Sequence, residues 1–72
     1  MAKRILVIGG TGVMGSYLVP KLLAAGYCVD AATLDDAVSS NRNLTYYRVD
    51  FLDFHVRRRW LNGRHYDAII DF

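Results

Sequence analysis

Apolar and polar residues along the chain form blocks that predict strands separated by helices. The first block, residues 4–8, is an apolar and largely β-branched run, and its lack of alternation is typical of a strand covered on both faces. Three further runs have the composition of strands. They lie at residues 28–34, 44–49 and 66–72.

A helix is predicted after the first strand, because apolar residues there recur at helical spacing. The predicted stripe consists of Met14, Leu18, Leu22 and Ala25, with Val19 and Leu23 beside it. Pro20 removes one backbone hydrogen bond, but the stripe continues on both sides of it. Gly26 stands where a glycine commonly ends a helix.

The second half of the chain continues the alternation of strands and helices. Residues 35–43 are polar and predict a loop, whereas Asp53 is typical of a helix N-cap and predicts a helix over 54–62 that ends at Gly63. Strands alternating with helices favour a parallel sheet with right-handed crossovers. We find no repeat or linker, so residues 1–72 are interpreted as one unit.

Composition narrows the class of protein. With 53% apolar and 22% charged residues, the chain is too apolar for disorder and too often interrupted by charge for a membrane span. The net charge of +2 does not by itself imply a nucleic-acid or membrane partner. Cys28 is the single cysteine, and His55 and His65 have no companions at metal-ligand spacing, so no metal site is expected. We expect Cys28 to be a small core residue and the chain to be cytoplasmic, since no signal-peptide pattern opens it.

The segment 9–15 carries the chemistry that the sequence suggests. Its glycines fit two registers, Gly10-x-Gly12-x-x-Gly15 and Gly9-x-x-Gly12-x-x-Gly15. Residues without a Cβ permit a tight strand-to-helix turn and a close approach of backbone to a pyrophosphate. The N-terminus of the following helix would present free N–H groups and positive dipole to the phosphates. This arrangement predicts a dinucleotide site.

Two other interpretations of the glycines compete with this one. A glycine-rich turn can serve as scaffold without binding a ligand. A nucleoside-triphosphate loop would need Lys and then Ser or Thr directly after Gly15, where Ser16 and Tyr17 stand instead. Hydrolysis of a nucleoside triphosphate is therefore not expected.

The chain resembles the NAD-dependent epimerase/dehydratase family, the extended short-chain dehydrogenases/reductases. The resemblance starts at the register of Gly9, Gly12 and Gly15 after the first strand. It continues through Gly26–Val29, Val49–Asp53 and Tyr66–Phe72, and thus spans the whole chain. Family members are several times longer, so we expect this chain to correspond to their N-terminal part.

The resemblance implies pyrophosphate-binding roles at the glycine turn. Gly9, Gly12 and Gly15 would line the turn, and the backbone of Val13 and Met14 would donate N–H groups to the pyrophosphate. The fold that it implies is the first half of a doubly wound Rossmann sheet with strand order 3-2-1-4, with the two helices on opposite faces. The fourth strand would be a free edge, through which we expect self-association.

The resemblance also implies contacts at the adenine and at the far end of the cofactor. Asp50 would accept from the adenine amino group with the backbone of Phe51 beside the ring, and Phe72 would lie at the cofactor's edge. Without the resemblance, Asp50 and Asp53 are equally well interpreted as a turn and a helix cap.

The choice of cofactor depends on the end of the second strand, where a carboxylate would bind the ribose hydroxyls of NAD. Thr33 occupies that position, which departs from the family pattern, and Asp35 and Asp36 follow shortly after. A 2′-phosphate would need an arginine, and none follows before Arg42. We therefore favour NAD, with NADP as the alternative.

The family's catalytic pair is Tyr-x-x-x-Lys, and Tyr17 and Lys21 match only its letters. They lie on the first helix, whereas the resemblance places the pair on a later helix, beyond residue 72. We interpret Tyr17 as a packing residue and Lys21 as a solvated one. The expected function is that of the cofactor-binding segment of an oxidoreductase, epimerase or dehydratase for a nucleotide sugar or related substrate, inactive alone.

A non-catalytic relative that senses the dinucleotide or binds RNA is the alternative function. The run Arg57–Arg59 beside Trp60 favours it slightly, because basic residues next to an aromatic ring can bind single strands. Three consecutive helical residues diverge by about 100° each, however, and form no single stripe. We therefore expect a solvated helix with a buried tryptophan and no nucleic-acid partner.

Overall fold

The computed structural model describes residues 3–72 and contains one parallel four-stranded sheet with a helix on each face. The elements in chain order are β1 (Arg4–Ile8), α1 (Val13–Ala24), β2 (Cys28–Thr33), β3 (Leu44–Arg48), α2 (Phe54–Leu61) and β4 (Ala68–Asp71). The strand order is β3-β2-β1-β4, with every pair parallel, which confirms the predicted order and class.

The residues of β1 alternate between two cores, because neighbouring side chains of a strand point to opposite faces. The first core contains Ile5, Val7, Val19 and Val29, and the second contains Leu6, Ile8, Ala32 and Phe51. Leu22 of α1 packs on the first core, and Trp60 of α2 packs on the second. The two helices therefore cover opposite faces, as predicted.

The predicted buried stripe of α1 is wrong at both ends, since Ala25, its last member, is the exposed C-cap of the helix. Met14 is 60% exposed, whereas Gly15 and Val19 are the buried residues of this helix. Gly15 lies against the glycine turn, so the buried face of the helix runs through Gly15, Val19, Leu22 and Leu23. Tyr17, expected to pack, is 67% exposed as a consequence.

Strand and helix ends lie within two residues of their predicted positions. β2 ends at Thr33, one residue early, because its ladder with β3 ends at the pair Thr33 and Arg48. Leu34 is consequently exposed. The N-cap at Asp53 is confirmed, since its carboxylate accepts from the backbone N–H groups of His55 and Val56 at 3.0 and 3.2 Å.

The expectation that Cys28 is a core residue is wrong. It is half-buried, and its thiol lies 3.9 Å from the side-chain oxygen of Asn43 in the loop that precedes β3. The residue opens β2 at the edge of the core, where its pairing partner across the ladder is the exposed Arg4.

Asp30 is a buried carboxylate in the middle of β2, at 6% exposure, and the structure supplies its partners. One of its oxygens accepts from the Tyr66 hydroxyl at 2.7 Å and from the Arg4 guanidinium at 3.1 Å. A buried carboxylate is tolerated when charge and hydrogen bonds compensate it. The contact also ties the segment before β4 to β2 across the intervening strand.

Replacing Tyr66 by Phe should lower the free energy of unfolding by about 1–3 kcal/mol, because Asp30 loses a buried donor. Urea denaturation followed by circular dichroism measures the change. Tyr46→Phe is the matched control, since within residues 3–72 the Tyr46 hydroxyl has no hydrogen-bond partner, and a change of less than about 0.5 kcal/mol is expected there. Equal losses in the two variants would contradict the assigned role of Tyr66.

The stability difference between the unchanged protein and Tyr66→Phe should also depend on pH. Burial, with the hydrogen bond to Asp30, raises the pKa of Tyr66 above the ordinary tyrosine value of 10.0. The unfolded phenol therefore loses its proton first, so the stability contributed by Tyr66 is complete below pH 10 and decreases as the pH rises further. Tyr66→Phe should show a shallower alkaline decline than the unchanged protein.

Candidate functional site

The turn between β1 and α1 depends on close backbone contacts. Gly9 has φ +86°, a conformation that favours glycine, and its N–H donates to the carbonyl of Ala32 at 2.9 Å. A Cβ on Gly10 would lie 2.7 Å from the Cβ of Ala31 on β2. The turn is thereby held against the end of the neighbouring strand.

Gly15 allows the first turn of α1 to lie against this loop. A Cβ at this position would overlap the carbonyl oxygen of Gly9 and the Cα of Gly10. Gly12 differs, because a Cβ there would meet only the Gly9 oxygen, at 3.4 Å, with open space around the rest. Gly10 and Gly15 thus serve packing, whereas Gly12 leaves room beside the helix N-terminus.

The N-terminus of α1 presents unused donors. Gly12 is the N-cap, and no side chain caps the helix. The first N–H bonded within the helix is that of Ser16, to Gly12 at 2.8 Å. Among residues 3–72, nothing accepts from the N–H groups of Val13 and Met14. Free amides at the positive end of a helix dipole fit a phosphate group.

A cavity of about 410 Å³ lies beside this turn, at the carboxyl ends of the strands. It is lined by residues from the ends of all four strands and from α2. Six predicted cofactor-binding residues lie on it: Gly9, Thr33, Asp35, Asp50, Phe51 and Phe72. The other four, Gly12, Val13, Met14 and Gly15, lie at the helix N-terminus rather than in its lining.

The second-strand position is occupied by a hydroxyl, with a carboxylate two residues later. Thr33 is buried, and its hydroxyl accepts from the backbone N–H of Asp35 at 3.0 Å. The Asp35 carboxylate accepts from the hydroxyl of Thr11 at 2.7 Å. Thr11 was not singled out by the sequence, and its central position in the glycine segment was the one available indication.

The third and fourth strands contribute the remaining predicted residues. One oxygen of Asp50 accepts from the backbone N–H of Leu52 at 2.9 Å, so Asp50 forms the turn that the competing interpretation predicted. The Phe51 side chain is buried in the second core, and the backbone of this residue remains for a ligand. Phe72 is half-exposed at the mouth of the cavity, and its N–H donates to Ile8 at 3.3 Å.

Sequence analysis missed the ion pair between Arg57 and Asp71 in the cavity wall. The guanidinium of Arg57 lies 3.4 Å from the Asp71 carboxylate and 5.7 Å from the centroid of the Phe51 ring. The two residues are separated by 14 positions, and no local pattern marks them as partners.

The tryptophan next to the arginine run is partly buried and packs against the second core. The Trp60 ring lies edge-on to Tyr47 and Phe51, with centroids 5.2 and 5.4 Å apart, and it is covered by Arg64 at 3.9 Å. Because Arg57 is turned toward Asp71 while Arg58 and Arg59 are exposed, the run does not present one basic surface. Trp60 packs against the second core but is only partly buried, so the expectation of a buried tryptophan is confirmed for its packing and not for full burial.

Tyr17 and Lys21 do not reach the cavity. The Lys21 ammonium lies 4.7 Å from the centroid of the Tyr17 ring on the exposed side of α1. Within the described part of the chain, no cluster of three potential metal ligands is present, and no helix is long and apolar enough to cross a membrane.

These features coincide with a match to a known family. The sequence model of the NAD dependent epimerase/dehydratase family matches residues 5–72. The chain belongs to this family. It is 33% identical over 73 residues to a UDP-glucose 4-epimerase of Lacticaseibacillus casei, which covers 94% of this chain and 22% of that protein.

Solved structures of similar proteins have the same arrangement of strands and helices. UDP-glucose 4-epimerase from Thermotoga maritima, with UDP-glucose, has a TM-score of 0.75 at 28% identity and covers 96% of this chain and 23% of its own. The Bordetella bronchiseptica enzyme WbmH, in complex with NAD+, has a TM-score of 0.81 at 19% identity over 100% of this chain and 26% of its own, which shows the fold alone. The chain thus spans about a quarter of the length of these relatives.

The two glycines at the start of α1 should respond differently to the addition of a methyl group. Gly15→Ala should lower the free energy of unfolding by about 3 kcal/mol, because its Cβ meets backbone that cannot move aside cheaply. Gly12→Ala should cost no more than about 1 kcal/mol, since the N-cap backbone is extended and open. Urea denaturation of both variants measures this difference, and similar losses would show that the loop adapts to a side chain at residue 15.

Proposed function

We propose that this chain is the dinucleotide-binding segment of an NAD-dependent epimerase-like oxidoreductase. The observation that carries the proposal is the pair of free N–H groups, on Val13 and Met14, beside a cavity that exposes carboxylates. Gly12 leaves the approach to those groups open. Family membership supports the same interpretation, because the family to which the chain belongs is NAD-dependent.

Each part of the cofactor has a counterpart among the residues at the cavity and at the N-terminus of α1. The amides of Val13 and Met14 would hold the pyrophosphate, and Asp35 would accept from the ribose hydroxyls. Asp50 would accept from the adenine amino group through the oxygen that its turn leaves free, with the backbone of Phe51 beside the ring. Phe72 would border the opposite end of the cofactor.

The bound nicotinamide would supply hydride acceptance and donation, and the residues of this chain would bind and orient it. Tyr17 and Lys21 lie away from the cavity. We therefore propose that the 72-residue chain binds the cofactor without turnover and that the longer protein acts on a nucleotide sugar or a related hydroxyl or carbonyl compound. The UDP-glucose 4-epimerases among its relatives support this substrate class.

Calorimetric titration of the chain with NAD tests the cofactor site. Asp35→Asn should weaken NAD binding about tenfold, because a hydrogen bond to a charged acceptor becomes a neutral one. Asp36→Asn is the matched control, since the Asp36 carboxylate pairs with Arg48 at 3.1 Å and does not line the cavity. If the unchanged chain bound neither NAD nor NADP, the glycine turn would be scaffold alone.

The free edge of the sheet leads to a separate proposal, that the chain associates with itself in solution. Within residues 3–72, β4 pairs with β1 on one side and with no strand on the other. Ile69 and Phe72 on this strand and at its end are about half-exposed. Unpaired apolar edges tend to pair. Sedimentation velocity should show concentration-dependent association, and a folded monomer throughout would contradict the proposal.

A further inference from the structure

Three residues, Thr11, Thr33 and Asp35, form a closed ring of hydrogen bonds, and Thr33 and Asp35 also line the cavity. The Thr11 hydroxyl donates to the Asp35 carboxylate at 2.7 Å and lies 2.6 Å from the Thr33 hydroxyl. The backbone N–H of Asp35 donates to the Thr33 hydroxyl oxygen at 3.0 Å. The ring joins the glycine turn, the end of β2 and the loop that follows β2.

The ring fixes the direction of every proton in it. A hydroxyl has one proton to donate, and that of Thr11 goes to Asp35, so the contact between the two hydroxyls must use the Thr33 proton. Each hydroxyl then donates once and accepts once. Because Thr33 is buried in the sheet, the ring anchors the carboxylate of an exposed loop residue to the core.

The anchored carboxylate keeps one oxygen for a ligand. Oδ2 of Asp35 accepts from Thr11, whereas within residues 3–72 Oδ1 has no hydrogen-bond partner, and the residue lines the cavity. A carboxylate with one fixed and one free oxygen is preorganised to accept from a hydroxyl of a ligand.

We infer that Thr11 and Thr33 are positioning residues that set Asp35 as the determinant of cofactor choice, in favour of a dinucleotide with a free ribose 2′-hydroxyl. The inference rests on the proposed function, since it concerns the same site. It explains how a chain with threonine at the end of β2 can recognise the ribose: the carboxylate comes from two residues further along and is held in place from the glycine turn.

The charges around the ring disfavour a 2′-phosphate. Such a phosphate would approach the fixed carboxylate of Asp35 and be repelled by it. Arg57, which lines the cavity, is already paired with Asp71 at 3.4 Å, and Arg48 is paired with Asp36 at 3.1 Å. Recruiting either arginine would leave its aspartate unpaired.

Calorimetry with NAD and with NADP on the 72-residue chain tests the inference through the ratio of the two dissociation constants. Thr11→Val should reduce the preference for NAD about tenfold, because Asp35 loses the donor that fixes it. Thr11→Ser keeps the hydroxyl and should therefore retain the preference of the unchanged chain. Asp35→Asn should reduce it at least as much. A merely structural role of Thr11 would weaken both cofactors alike and leave the ratio unchanged, which would overturn the inference.

A second readout does not depend on the cofactor. Thr33→Val removes the acceptor of the Asp35 N–H and should accelerate hydrogen exchange of that amide by at least about tenfold, without a matching change at β1 amides. Unchanged exchange would show that the ring does not form. If the unchanged chain prefers NADP, the inference is wrong while the proposed function stands, whereas binding of neither cofactor refutes the proposed function.

Discussion

The contact between Gly15 and the backbone of the turn before it determines where α1 begins and which face it buries. Any Cβ at this position would overlap the Gly9 carbonyl, so the helix can approach the end of β1 only because none is present. With the first turn of the helix so close, Val19 enters the core one turn later. The free N–H groups of the helix are left facing outward beside the cavity. The packing of α1 and the position of its free N–H groups therefore depend on the same missing side chain.

Those parts of the fold that follow from local patterns could be predicted from the sequence. The unbroken apolar run of β1, the glycines after it and the cap at Asp53 each impose their own structure, and the strand order follows once these are placed. The buried face of α1 could not be predicted in this way, because two overlapping stripes are present. The choice between Met14 and Val19 is made by a contact with another element, which helical periodicity does not encode.

The cavity shows the same division between local and long-range information. Asp50 and Phe72 reach it because they end strands, and the ends of parallel strands meet at one edge of the sheet. The hydrogen bond from Thr11 to Asp35 joins residues 24 positions apart and depends on how two loops approach each other. Sequence reasoning gave Asp35 a place in the site as a substitute for the expected acid at Thr33, but it had no means to identify the residue that holds it.

The carboxylates inside the sheet and those at the carboxyl ends of its strands differ in how many of their oxygens the protein itself uses. In the middle of β2, Asp30 is buried and compensated by Arg4 and Tyr66, so its charge contributes to tying strands together. Beyond the carboxyl ends of β2 and β3, Asp35 and Asp50 are exposed, and each uses one oxygen for a turn or loop contact. A buried carboxylate whose hydrogen bonds all come from the protein cannot accept one from a ligand without losing a partner. An exposed carboxylate with one oxygen free of protein partners can. The carboxylates with an oxygen free for a ligand thus lie at the same end of the sheet as the free amides of α1.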